Sequence, residues 1–169
     1  MSISLIYHAF GIKTKYEYIK HDFKNGSVYF TIERPFHDCQ CRHCGSRSVR
    51  SRGKKVRLFK SVPIGSKATF IVLRFRRLEC LTCQKILQED IPFSVRQKSY
   101  TKAFQRYVLE LSKEMSIKAI AQHLGTSWDL IKGIQKDHLQ KKYARLKAKH
   151  IRYLAIDEVS SHHGHRYLT

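Results

Sequence analysis

Four cysteines in two Cys-x-x-Cys pairs are the residues best placed to do chemistry: Cys41-Arg42-His43-Cys44 and Cys80-Leu81-Thr82-Cys83. In each pair a tight turn aims both sulfurs at one point. Four thiolates at about 2.3 Å complete a tetrahedral zinc shell. Gly45 follows the first pair, where a knuckle often needs positive φ. No other cysteine lies between the pairs, and the bracketed segment is strand-rich, so the spacing predicts a zinc ribbon holding structural Zn2+ on Cys41, Cys44, Cys80 and Cys83. Two disulfides would use the same sulfurs, but there is no signal-peptide pattern and no secreted-domain cysteine density. A redox pair belongs at a helix start after a strand, and neither pair has that setting. Cys39 is left over; it could take the place of Cys41 in the crowded Cys39-x-Cys41-x-x-Cys44, or remain a spare thiol.

The second chemistry is cationic. The 169 residues carry 33 Lys and Arg against 13 Asp and Glu, a formal charge of +20. Such an excess repels itself unless a polyanion is near, and nucleic acid is the usual one. A membrane partner is not expected, because no apolar run approaches the roughly 20 residues of a bilayer span. A reducing, cytoplasmic setting fits best.

Alternation and caps show how these groups are positioned. Lys13–Glu33 reads as a β-hairpin turning at Asn25-Gly26, while Ile3–Phe10 is mildly apolar without a clear pattern. Inside the ribbon, Lys54–Ser61 reads as a strand, Pro63–Ser66 as a turn and Lys67–Leu78 as a longer strand. There Ile71, Leu73 and Phe75 point one way, and Val72, Arg74 and Arg76 the other. Arg74 and Arg76, joined by Arg50, Arg52, Lys54, Lys55, Arg57 and Lys60, form a candidate phosphate-contacting surface. Lys85–Ser99 has no sustained period and reads as a connector between domains.

Helical signals follow. Thr101 caps a helix running through roughly Met115, and Ser116 caps a second. Ile117, Ile120 and Leu124 face inward, Ala121 is small where two helices cross, Gly125 takes the turn, and Ser127 caps a third helix with Ile131 and Ile134 inward. Five positions agreeing at once make this a helix-turn-helix. Its recognition helix, Trp128–His138, presents Ser127, Trp128, Lys132, Gln135 and Lys136 to DNA, where Gln pairs with adenine and Lys with guanine or phosphate. Trp128 either makes that contact or fills the gap between helices. Lys136–His150 continues as a basic linker helix. Ile151–Val159 reads as a strand, Ser160–Gly164 as a polar turn that includes His162 and His163, and His165–Thr169 as a returning strand.

This order of parts resembles the insertion-sequence transposases of the IS-L-three type. The resemblance rests on the two cysteine pairs with Arg74-Phe75-Arg76-Arg77-Leu78-Glu79-Cys80, the helix-turn-helix, Tyr153-Leu154-Ala155-Ile156-Asp157-Glu158 and Gly164-His165-Arg166-Tyr167-Leu168-Thr169, and covers nearly the whole chain. It implies double-stranded DNA as partner, at the terminal inverted repeats of the element. It also implies a ribonuclease-H-like catalytic domain whose Asp-Asp-Glu triad holds two Mg2+ ions. By position Asp157 matches the first catalytic aspartate, and nothing before Thr169 matches the other two.

The expected class is therefore α+β: a β-rich zinc ribbon, a helix-turn-helix bundle, then an incomplete ribonuclease-H-like hairpin. The expected divisions are 1–36 for the N-terminal hairpin region, 37–95 for the ribbon, 100–150 for the helix-turn-helix and linker, and 151–169 for the truncated start of the catalytic domain. The expected function is site-specific DNA binding without cleavage by this chain alone. The rival expectations are cleavage once the missing half is supplied, repression of a full-length transposase or pairing with it or with a second copy, and non-specific nucleic-acid binding.

Overall fold

Alternation of side chains along one strand sets the first half of the fold. The structure is a computed structural model that describes residues 3–12, 15–144, 153, 159–162 and 166–168. The chain forms two compact units, Met1–Lys136 and Asp137–Thr169.

In the first unit the central strand is β4 (Lys67–Cys80), which follows β3 (Val49–Ile64) in a long antiparallel hairpin. On one face of β4 Thr69, Ile71, Leu73 and Phe75 are buried, while on the other Arg74 is exposed and Phe70 and Val72 are half-buried. Strand β1 (Glu17–Lys24) and strand β2 (Ser27–Glu33) form the hairpin expected around Asn25-Gly26. Both turn residues have positive φ, 49° and 72°, as the tight turn of twisted strands demands. Strand β2 then pairs with β4 in parallel, from Val28 opposite Thr69 to Glu33 opposite Arg74. The sheet order is β1-β2-β4-β3, and β5 (Ile86–Gln88) adds to the far end of β4. The N-terminal hairpin and the ribbon strands thus share one sheet.

Two elements differ from the sequence reading. Ile3–Phe10 is a helix, α1, whose Ile6 and Phe10 enter the sheet core beside Phe30, Phe59, Ile71 and Phe93. Two turns are too short to display a period, and packing rather than propensity holds such a helix. Strand β3 starts five residues before the expected Lys54, at Val49. Gly53, at φ 108°, forms a bulge that shifts the register between Ser51 and Lys54, so alternation before it runs out of phase with alternation after it. The connector also carries buried residues: Glu89, Phe93 and Ser94.

The helices follow their caps. Helix α2 (Lys102–Leu111) begins where Thr101 Oγ1 accepts the Phe104 N–H at 3.1 Å, and α3 (Ile117–His123) where Ser116 Oγ accepts that of Ala119 at 3.3 Å. Helix α4 (Trp128–Lys142) begins where Ser127 Oγ accepts from Leu130 at 3.3 Å. Their apolar faces enclose a second core of Tyr100, Phe104, Val108, Ile120, Ala121, Leu124, Ile131 and Ile134. The α3–α4 turn is a Schellman closure: Thr126 N donates to Ala121 O at 2.9 Å and Gly125 N to Gln122 O at 3.2 Å, with Gly125 at φ 54°.

In the second unit, β6 (Val159–His162) pairs antiparallel with β7 (Arg166–Leu168). Ser160 and His162 therefore lie in a strand, not in the expected turn; the ladder begins at Val159 opposite Leu168, and pairing overrides weak local preference. The expected strand residues 151–152 and 154–158, and the linker residues 145–150, lie outside the described residues.

Two glycines in one motif answer oppositely to alanine, although neither added Cβ meets an atom within 4 Å. Gly125→Ala forces an L-residue into the left-handed region and costs about 1–2 kcal/mol. Gly133→Ala, inside α4, stabilises by about 1 kcal/mol. Urea denaturation of both variants measures the two shifts.

Candidate functional site

The two knuckles at the open end of the β3–β4 hairpin bring four sulfurs together. The Sγ atoms of Cys41, Cys44, Cys80 and Cys83 all lie within 4.8 Å of one another. Cys41 and Cys83 approach to 3.7 Å, Cys44 and Cys80 to 3.5 Å. The edge of a tetrahedron with metal–sulfur bonds of 2.3 Å is about 3.8 Å, so these spacings fit a shared metal ion. They far exceed the about 2.05 Å of a disulfide, and all five cysteines are free thiols.

The knuckles are built alike. Gly45 N donates to Cys41 O at 2.8 Å and Cys41 N to Ser46 O at 2.8 Å; Cys80 N donates to Lys85 O at 3.0 Å, and Leu81 N ties the second knuckle to Ser48 O at 2.9 Å. Each has a left-handed residue after its second cysteine, Gly45 at φ 74° and Gln84 at φ 55°. Ser46 and Thr82 hydroxyls meet across the gap at 2.9 Å.

The electrostatics call for a cation. Backbone N–H groups of Cys83, then Thr82, pull the Cys80 thiol down to about 6, and those of Cys44, then His43, lower Cys41. Cys44 moves the other way, to about 12: the Ser46 N–H lowers it, but desolvation and the sulfurs of Cys80, Cys83 and Cys41 outweigh that. A cluster that favours its first thiolates and resists the last is what a dication relieves, and four sulfur donors are a zinc set.

Cys39 stands outside this group. Its Sγ lies 3.5 Å from both Pro35 O and Glu89 Oε2, and burial, then Glu89, pushes the thiol up to about 11.

The ribbon cations divide into those used internally and those left outward. Arg76 is buried, not outward as alternation suggested. Its guanidinium donates to Arg34 O at 2.6 Å and pairs with Glu33, while its backbone N–H donates to buried Glu89. Alternation assigns Arg76 to the face of Arg74, but Glu33, Arg34 and Phe36 cover that end of the face, and Arg76 lies over the Phe36 ring. Arg76 is therefore removed from the DNA-facing set. Arg34, also buried, donates to Tyr16 Oη at 3.0 Å and Asp90 O at 2.9 Å. Arg52 pairs with Glu79 at 2.7 Å, Lys54 with Glu33 at 3.0 Å, and Arg57 donates to Lys98 O at 3.0 Å. Arg50, Lys55, Arg74 and Arg77 are exposed and in no ion pair among the described residues.

On α4, Trp128, Lys132 and Lys136 are exposed and lie at i, i+4 and i+8, one stripe of the helix. Trp128 is 45% exposed, so it does not fill the helix–helix gap; Lys132 Nζ sits 4.6 Å from its ring centre. Ser127 is exposed at the helix start with its hydroxyl engaged in the cap. Gln135 turns away from the stripe: its side-chain amide donates to Ser112 Oγ at 2.7 Å, fastening α4 to the end of α2. Ser112 in turn donates to Val108 O, and a helix end needing a donor outcompetes solvent for that hydroxyl. Asp157, the residue matched to a catalytic aspartate, lies outside the described residues, as do Glu158, His163 and His165.

Sequence reasoning missed the role of Lys60 and the Glu89 contacts. Lys60 was counted as a phosphate contact, yet its ammonium donates to Leu124 O and Gly125 O, both at 2.8 Å. No local pattern announces a bond spanning 64 residues. No helix among the described residues is long and apolar enough to cross a membrane.

Comparison with known proteins places both parts. Residues 37–83 match the zinc-finger of transposase IS204/IS1001/IS1096/IS1165, and residues 89–139 match the helix-turn-helix domain of transposase family ISL3. The chain is 27% identical over 129 residues to the transposase for insertion sequence element IS1001 of Bordetella parapertussis, covering 76% of this chain and 32% of that protein. It spans about a third of the length of that curated relative. No solved structure matches.

Two measurements check the metal centre. The purified protein carries one zinc per chain, and Cys80→Ser abolishes both the zinc and the thiolate-to-cobalt charge-transfer band of the cobalt-substituted form. With chelator at pH 8, iodoacetamide labels Cys80, whose thiol lies near 6, before Cys39, whose buried thiol is raised to about 11 and stays protonated there.

Proposed function

We propose that this chain, which carries the zinc ribbon and helix-turn-helix of the ISL3 transposase family, binds double-stranded DNA at the terminal inverted repeats of its insertion sequence. The observation that carries the reading is the exposed Trp128–Lys132–Lys136 stripe on the second helix of a capped helix-turn-helix. In that motif the second helix enters the major groove and its N-terminal residues meet base edges. Lys132 and Lys136 supply charge to bases or phosphates, and Trp128 supplies apolar surface beside them. From the ribbon face it shares with Lys60, Arg74 supplies a phosphate contact, which holds register without reading sequence. Zinc in the Cys41, Cys44, Cys80, Cys83 set has a structural role: it ties the two knuckles and so fixes the end of the hairpin.

DNA binding, not cleavage, is the activity assigned to the described residues. Strand cleavage is the proposed work of a ribonuclease-H-like domain with bound Mg2+, to which Asp157 would contribute one carboxylate. A second copy of the chain, or a full-length transposase, is the protein partner this reading admits.

The test is a gel-shift and footprint series on duplexes from the element's ends. Specific binding exceeds binding to scrambled duplex by about a thousandfold. Log affinity falls linearly with log salt, and Lys132→Ala with Lys136→Ala flattens the slope by roughly 0.9 for each phosphate contact removed. Arg74→Ala weakens binding to all sequences alike. Arg76→Ala acts through stability instead, costing on the order of 3 kcal/mol by taking the buried guanidinium from Glu33 and from Arg34 O. No preference over scrambled duplex, or an affinity indifferent to salt, overturns the reading.

A further inference from the structure

The turn of the helix-turn-helix is held from outside by a residue of the ribbon. Lys60 lies on β3, and its ammonium donates to Leu124 O and Gly125 O at 2.8 Å each. These are carbonyls at the C-terminal end of α3, where the helix dipole favours a cation and no intrahelical donor remains. The Schellman bonds use Ala121 O and Gln122 O and leave this pair for Lys60. The ammonium also sits 6.0 Å from the Phe104 ring centre and 5.9 Å from that of Phe70. One side chain therefore touches the sheet, α2 and the turn. Burial lowers its pKa, as expected for an ammonium drawn out of water.

The backbone supports the same joint. Lys60 N donates to Ser99 O and Thr101 N to Lys60 O, each at 2.9 Å, so β3 is bridged to the residue that caps α2. Ser61 and Thr101 hydroxyls meet beside it at 3.2 Å.

The joint has a direction. Lys60 stands opposite Phe70, and Val56 stands opposite Arg74, so Lys60 and Arg74 share one face of the sheet. From Lys60 to Val56 is four residues, about 14 Å of strand. Trp128 begins the recognition helix three residues after Gly125. The turn that precedes the recognition helix is thus held by a residue on the sheet face that carries Arg74.

We propose that Lys60 is a specificity-positioning residue: it fixes the recognition helix against the ribbon so that both contact one duplex at a single allowed spacing. This rests on the DNA-binding reading above and deepens it. Spacing between the two contacted stretches becomes part of what is recognised, although no side chain reads the base pairs between them. Untethered modules would tolerate a change in spacing, because a flexible joint lets the second contact search for its site. A rigid joint does not.

The experiment has an arm without DNA and an arm with it. In the first, 15N relaxation compares the whole zinc-loaded chain with Lys60→Met and Lys60→Arg. Wild type and Lys60→Arg give uniformly high order parameters through the α3–α4 turn and the recognition helix, and Lys60→Met, which keeps the backbone bridge at residue 60, lowers them there. Unchanged order parameters in a folded Lys60→Met overturn the tether, whatever the protein binds. In the second, duplex selected by the wild-type protein from a random library is lengthened by about half a helical turn, roughly 5 bp, between the two protected stretches. Wild type loses at least about tenfold in affinity on insertion, Lys60→Met less than about threefold, and Lys60→Arg behaves as wild type. An equal insertion penalty in wild type and Lys60→Met overturns the proposal, as does a wild-type footprint confined to the helix-turn-helix stretch. If selection yields no preferred duplex, the DNA-binding reading fails, and the spacing proposal with it, while the relaxation arm still reports on the tether.

Discussion

The hydrogen-bond ladder of β4 is the constraint from which the first unit is built. It has neighbours on both sides, β2 in parallel and β3 antiparallel, with β5 beyond. A strand so enclosed cannot slip by one residue without turning Ile71, Leu73 and Phe75 out of the core. The register that buries them also sets Arg74 outward and brings Cys80, at the end of β4, opposite Val49 and beside the first knuckle. The same ladder fixes Lys60 on β3 opposite Phe70. The metal centre, the outward arginine and the ribbon's hold on the helix-turn-helix are three consequences of one pairing.

A charge of +20 over 169 residues suggests cations in excess of any internal use, yet many are engaged. Arg34 and Arg76 are buried among Tyr16, Glu33, Glu89 and backbone carbonyls, where each polar contact answers a desolvation cost. Arg52, Lys54 and Arg57 are tied along the hairpin. Many others stay exposed, among them Arg74 on the ribbon and the Lys132–Lys136 stripe of α4. Localised charge positions a duplex, whereas evenly spread charge only attracts it.

What was legible in the sequence was local. The Cys-x-x-Cys pairs, the capping hydroxyls of Thr101, Ser116 and Ser127, the left-handed Gly125 and the Asn25-Gly26 turn each act within a few residues, so spacing alone exposes them. Pairings across distance stayed hidden. The parallel match of β2 to β4 has no signature in either strand. Arg76 kept its face but not its exposure, because alternation tells which side a residue takes and not what covers that side. Gln135 fitted a base-reading position, but a hydroxyl on α2 was nearer. Glu89, in a segment without period, became a buried acceptor for the Arg76 backbone and a neighbour of Cys39, 50 residues earlier.

The joint between ribbon and helices shows why a lysine serves where an apolar residue would bury more simply. Apolar contact is non-directional; two greasy surfaces can rotate against each other at little cost. Two hydrogen bonds from one ammonium to adjacent carbonyls are directional, and they are made only when the α3–α4 turn sits in one orientation. Removing Lys60 from water carries a penalty that a methionine at the same site would avoid, and the lowered pKa registers that penalty. Stability alone therefore gives no reason for the lysine. Orientation does, since a recognition helix displaced by a few ångströms from its groove reads different base edges, and the fold gains by holding it in one place.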